Sequence, residues 1–133
     1  MHTIMHAATT SPAASFAAIA VALLVAHQVA DHWVQTSHQA AHKGRPGWAG
    51  RAACAAHVAS YTLCTSLAVV AVWLALDLPL TWTGVLAGQL VSAVTHYWAD
   101  RRVTLARLAE RLGLGGFYRL GSPRPQARVL VVD

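Results

Sequence analysis

A histidine and an aspartate four residues apart occur twice in this chain, as His27-Gln-Val-Ala-Asp31 and as His96-Tyr-Trp-Ala-Asp100. On a helix that spacing puts both side chains on one face, one turn apart, where an imidazole and a carboxylate can ligate the same cation. A further histidine, His57, stands near the start of a separate apolar run. Imidazole nitrogen together with carboxylate oxygen suits zinc or another divalent transition metal. His27, Asp31, His57, His96 and Asp100 are therefore the candidate ligands, and a divalent metal such as zinc is the cofactor they suggest. The same residues also suit a hydrogen-bonded network in which His–Asp pairs neutralise one another, with Arg101 or Arg102 as partners. Such polar groups hold membrane helices together without metal.

The residues that share faces with these candidates are polar as well. Numbered as one continuous helix, Gln35, His38 and His42 continue the stripe of His27 and Asp31, whereas His32 falls off it. Ser60, Tyr61 and Cys64 follow His57 on its face, and Gln89 and Ser92 precede His96 on its own. Gln35, Tyr61 and Gln89 would form the second layer around either kind of cluster.

Three apolar segments must position these groups. The first helix is expected from about Ala13 to about Ser37, with Ser11 as cap and Pro12 in the first turn. Lys-Gly-Arg-Pro-Gly-Trp-Ala-Gly-Arg at 43–51 has three glycines and a proline and is expected to be a loop. A second helix is expected from about Ala52 to Leu76, a tight turn with Pro79 over 77–81, and a third helix from about Leu80 to Ala99. Gly84, Gly88 and Ser92 form a small-xxx-small series that permits close helix packing. Residues 101–112 are amphipathic, with Leu105, Leu108 and Leu112 on one side and Arg107 and Arg111 on another, and suit a membrane surface. The expected organisation is a helical bundle domain over 1–112 and a weakly ordered basic tail over 113–133, with residues 1–12 a frayed N-terminal tail.

Composition supports a membrane setting. Of 133 residues, 56% are hydrophobic and 11% charged, both outside the usual soluble range. The net charge of +5 comes with no aromatic-interleaved basic groove, so no specific nucleic acid is expected. Met1 to Pro12 has no Lys or Arg, so the first apolar run lacks the basic start of a signal peptide and reads as a retained helix. Cys54 and Cys64, ten residues apart on one helix, would lie about 15 Å apart along its axis, too far for a disulfide.

Charge also orients the segments. Lys43, Arg45 and Arg51 lie between the first two, and Arg101, Arg102, Arg107 and Arg111 follow the third, while the N-terminal tail and the 77–81 turn have no Lys or Arg. The positive-inside rule then puts the first loop and the C-terminus in the cytoplasm and the N-terminus outside. All five candidate ligands fall at the cytoplasmic end of their segments. The fold class is thus an all-α polytopic membrane bundle of three transmembrane helices plus a C-terminal amphipathic helix.

At His27-Gln-Val-Ala-Asp31-His-Trp-Val-Gln35 the chain resembles an uncharacterised bacterial integral-membrane family, a domain of unknown function whose signature is His-x-x-Ala-Asp-x-x-x-Gln. His57 matches a second-helix histidine of that family, and His96 to Asp100 a later His-x-x-x-Asp. The resemblance covers roughly residues 20–112. It implies a multi-pass protein of a bacterial cell membrane whose polar layout is similar to that of membrane-bound metal-dependent hydrolases. Some relatives continue into a further helix with another His where this chain stops at Asp133; the site would then be incomplete or be completed by a second subunit.

Two functions compete on this reading. In one, a metal-bound water acts on a lipid-like substrate at the cytoplasmic face, with Asp31 or Asp100 as ligand or general base. In the other, a non-enzymatic membrane protein, of the mobile-element or phage type, packs its helices or binds partners and the cluster is structural. The lipid bilayer is the expected partner of both, and self-association is compatible with each.

Overall fold

The computed structural model describes residues 11–120, all of whose regular structure is helical. The first helix, α1, runs from Pro12 to Val29 and starts as its sequence dictates: Ser11 accepts a bond from the amide of Ala14, and Pro12 occupies the first turn. The expected frayed residues 1–10 lie outside the described residues, as do residues 121–133 of the expected tail.

The first helix does not continue to Ser37. A π-turn over Ala30–Val34 follows α1, Gln35 is extended (ψ 127°), and a separate short helix, α2, spans Ser37–His42. A capping box makes the break: Thr36 Oγ1 accepts from the amide of Gln39, and Gln39 Oε1 accepts from the amide of Thr36. The pattern Thr36-Ser-His-Gln39 is visible in the sequence. It outweighs the continuous polar stripe because it satisfies amides that a new helix start would otherwise leave unpaired.

The long helix α3 covers Gly47–Leu76, five residues earlier than the glycines suggested. Gly50 does not stop it. The Cβ of any larger residue there would lie 2.0 Å from the carbonyl oxygen of Arg45, so Gly50 is a notch that admits the preceding loop against the helix. Asp77 ends α3 in the left-handed conformation (φ 46°), and Thr81 caps α4, Trp82–Asp100, by accepting from the amide of Gly84. Trp73 and Trp82 pack edge to face beside this turn, centroids 4.6 Å apart.

Helix α3 is the centre of the bundle. It packs antiparallel against both α1 and α4, whose backbones do not approach each other and which meet through the edge-to-face rings of His27 and His96, centroids 5.4 Å apart. Its buried residues, Ala53, Cys54, His57, Val58, Tyr61, Thr65 and Val69, form one seam at helical spacing. The seam is unusual in being small and polar, and the large apolar side chains, among them Leu63, Leu67, Leu86 and Leu90, face outward. Two helical stretches, Pro12–Val34 and Gly47–Leu76, are long and apolar enough to cross a membrane, and only 17% and 22% of their most apolar windows are buried. Polar residues keep α4 below that mark. Cys54 and Cys64 are free thiols, against the carbonyls of Tyr97 and Ala26 respectively.

The described chain divides into two compact units between Arg101 and Arg102. The second holds α5, Val103–Arg111, and α6, Gly115–Arg119. The glycines at 113–116 predicted no periodic structure, yet a helical turn forms. Arg119 pairs with Glu110, and the Tyr118 hydroxyl donates to the carbonyl of Arg102.

Candidate metal centre

The seam brings the two His–Asp pairs and His57 together. His57, fully buried on α3, points Nε2 at Asp31 Oδ1 (3.3 Å) on the π-turn, and at Asp100 Oδ2 (3.3 Å) and His96 Nε2 (3.2 Å) on α4. His96 Nε2 lies 3.3 Å from Asp100 Oδ2 and 3.7 Å from Asp31 Oδ1. These five separations join four atoms: two imidazole nitrogens and two carboxylate oxygens. A tetrahedral ion with bonds of about 2.0–2.1 Å holds its ligand atoms about 3.3 Å apart. The ligand atoms of Asp31, His57 and His96 all lie within 4.8 Å of one another and could hold a metal ion, and Asp100 Oδ2 stands 3.3 Å from both imidazole nitrogens.

Asp31 Oδ1 and Asp100 Oδ2 are buried atoms whose nearest polar neighbours are the imidazole nitrogens of His57 and His96, at 3.3 Å and without aligned hydrogen-bond geometry. Buried carboxylate oxygens need donors or a cation, and an ion among these atoms would serve both. The outer oxygens are already held. Lys43 Nζ lies 2.9 Å from Asp100 Oδ1, and His27 Nε2 lies 3.5 Å from Asp31 Oδ2. The five expected ligands thus resolve into four that converge, with His27 behind Asp31.

Lys43 was expected to be a basic residue of the membrane surface. It is instead buried, and its side chain belongs to the site. The signal is one of charge: two half-buried carboxylates among apolar helices call for a cation, and Lys43 directly follows α2. Arg101 also departs from a surface role. Its guanidinium donates to the carbonyls of Lys43 and Arg45, each at 2.7 Å, and clamps the loop that carries Lys43. Of the other expected basic residues, Arg45, Arg51, Arg102, Arg107 and Arg111 are exposed.

The expected second layer is only partly present. Tyr61 stacks on His96, centroids 3.8 Å apart, and its hydroxyl meets Ser92 Oγ at 3.3 Å. Gln89 lies further along α4 and bonds Thr65, not the four-atom group. Gln35 forms no bond to the group, and its Nε2 is buried unpaired among the described residues. The π-turn and the break after it carry His38 and His42 off the stripe. They stack on one another, centroids 4.2 Å apart, and His32 is exposed.

Comparison with protein-family models, with curated proteins and with solved structures finds no match to this chain.

Proposed function

We propose that this is a multi-pass bacterial membrane protein that binds a divalent transition metal, zinc foremost, through His57, His96, Asp31 and Asp100 at the cytoplasmic membrane boundary. The observation that carries the reading is the convergence of Asp31, His57 and His96 from three helical elements, with ligand atoms within 4.8 Å of one another, and of Asp100 Oδ2 3.3 Å from both imidazoles. The membrane setting is supported by apolar, outward-facing helices. With α4 as a third span, Arg45 and Arg51 fall on the side the positive-inside rule assigns to the cytoplasm. The resemblance to the uncharacterised membrane family at His27–Gln35 agrees with this placement.

A hydrolase-like activity follows if one carboxylate yields its corner to water, because zinc supplies a water acidic enough to ionise near neutral pH. Asp31 is the residue suited to yield. It sits on the π-turn, a helix irregularity that recurs at functional sites, and its oxygen is the corner furthest from His96. Asp31 would then be the general base, with His27 holding its other oxygen, and Asp100, paired with Lys43, would be the carboxylate that holds the ion.

Metal analysis of protein purified without chelator tests the reading. About one metal per chain is expected. His57→Ala and Asp31→Asn each lose most of it, and His32→Ala keeps it. Metal-free wild type of unchanged stability would overturn the proposal in favour of a structural network centred on the 3.2 Å contact between His57 and His96.

A further inference from the structure

Because α1 and α4 both pack on α3 while their backbones do not approach each other, a cleft of about 340 Å³ lies between them. Ile19 and Leu23 of α1, Val69 of α3, Leu80 of the turn before α4 and Val85 of α4 line it. Its size is that of a small-molecule site, which typically spans about 300–1,000 Å³. Its shape is long: from Gly84 to Ser92 it follows α4 for about 12 Å at 1.5 Å per residue, and it continues onto the turn at Pro79, Leu80 and Thr81. Gly84 and Gly88 line it too, but they are not a close helix contact, because a Cβ added at Gly88 would meet nothing within 4 Å. The small residues of the series hold the cleft open.

One end of the cleft is polar. Gln89 and Ser92 lie there, and Ser92 also lines the adjoining recess formed with Tyr61, Thr95 and His96. An apolar cleft of this length whose polar end shares Ser92 with the recess at His96 fits a hydrocarbon chain with a polar end. Charge selects the sign of that end. A divalent ion and Lys43 against the carboxylates of Asp31 and Asp100 leave one net positive charge, which in a low-dielectric setting favours an anion.

We propose that the cleft holds the hydrocarbon chain of an anionic amphiphile drawn from the bilayer, with its head group at Ser92, Tyr61 and His96. The chain-binding part stands on the cleft alone; the preference for an anionic head rests on the metal reading above.

The test uses full-length protein in detergent and dodecyl phosphate carrying a terminal diazirine. Photolabelling is expected to be saturable and concentrated on residues 19–23 and 80–88. Excess unlabelled dodecyl phosphate should compete, and dodecyltrimethylammonium should not. Gly88→Leu should remove most of the cleft label while the metal content stays that of the wild type. Label spread evenly over the outward-facing leucines overturns the proposal whether or not that variant folds. So does label that appears in the cleft only after residues 1–10 are deleted, or a cleft filled by a second copy, seen as a cross-link between chains. Cleft label in a metal-free protein, with both detergents competing equally, would retain the chain site and overturn the anionic head and the metal reading together.

Discussion

Lys43 shows how one side chain decides the charge state of the site. Its ammonium is the one permanent cation in ion-pair reach of the carboxylates among the described residues, and both partners of its pair with Asp100 are largely shielded from solvent. Removing one partner of a buried ion pair costs about 3–5 kcal/mol. Lys43→Met should therefore lower stability by about that amount in metal-free protein, and by clearly less once zinc supplies the missing positive charge. Denaturant unfolding in detergent with and without zinc measures both losses; equal losses would mean that Asp100 does not share the ion. His27 makes a different contrast. It meets the outer oxygen of Asp31 and packs edge to face on Tyr61 and His96, so His27→Ala should weaken zinc binding about 10–100-fold, as loss of an orienting partner does, without the near-complete loss expected of His57→Ala. Competition against a chromophoric chelator separates the two.

At the scale of the element, two glycines of similar sequence context have opposite roles. Gly50 admits the Arg45 carbonyl into the side of α3, and Arg101 clamps the same stretch of loop. Gly50→Ala should destabilise by about 1–3 kcal/mol through overpacking and lower zinc affinity through the displacement of Lys43. Gly88, in the interior of α4 with open space around it, should accept alanine with a gain of up to about 1 kcal/mol from helix propensity. Thermal unfolding followed by circular dichroism gives the sign of each change. If Gly50→Ala proves neutral, the notch is not a structural requirement.

At the scale of the whole molecule, the helices meet along a narrow polar seam and expose their apolar bulk. This is the reverse of a soluble bundle, in which the apolar faces turn inward. On the proposed membrane reading, charge sets the expected orientation. In a background with Cys54 and Cys64 replaced, Gly47→Cys should react with a membrane-impermeant thiol reagent only after the cytoplasmic face is opened. Pro79→Cys should react in intact cells. Labelling of Pro79→Cys from the cytoplasm alone would reverse the topology.

The sequence by itself determined helix type, the cap at Ser11, the turn near Pro79 and the faces of His57 and His96, because hydrophobic period and local capping are properties of neighbouring residues. It also brought His27, Asp31, His57, His96 and Asp100 to one depth. Only the tertiary structure decided which of them converge. The π-turn and the Thr36–Gln39 capping box interrupt a phase that had been extrapolated through to His42, and the side-chain reach of Lys43 and Arg101 depends on a loop folded into the notch at Gly50. Those are contacts between residues far apart in the chain. Periodicity within one segment carries no information about them, which is why Lys43 read as a surface charge and is part of the site.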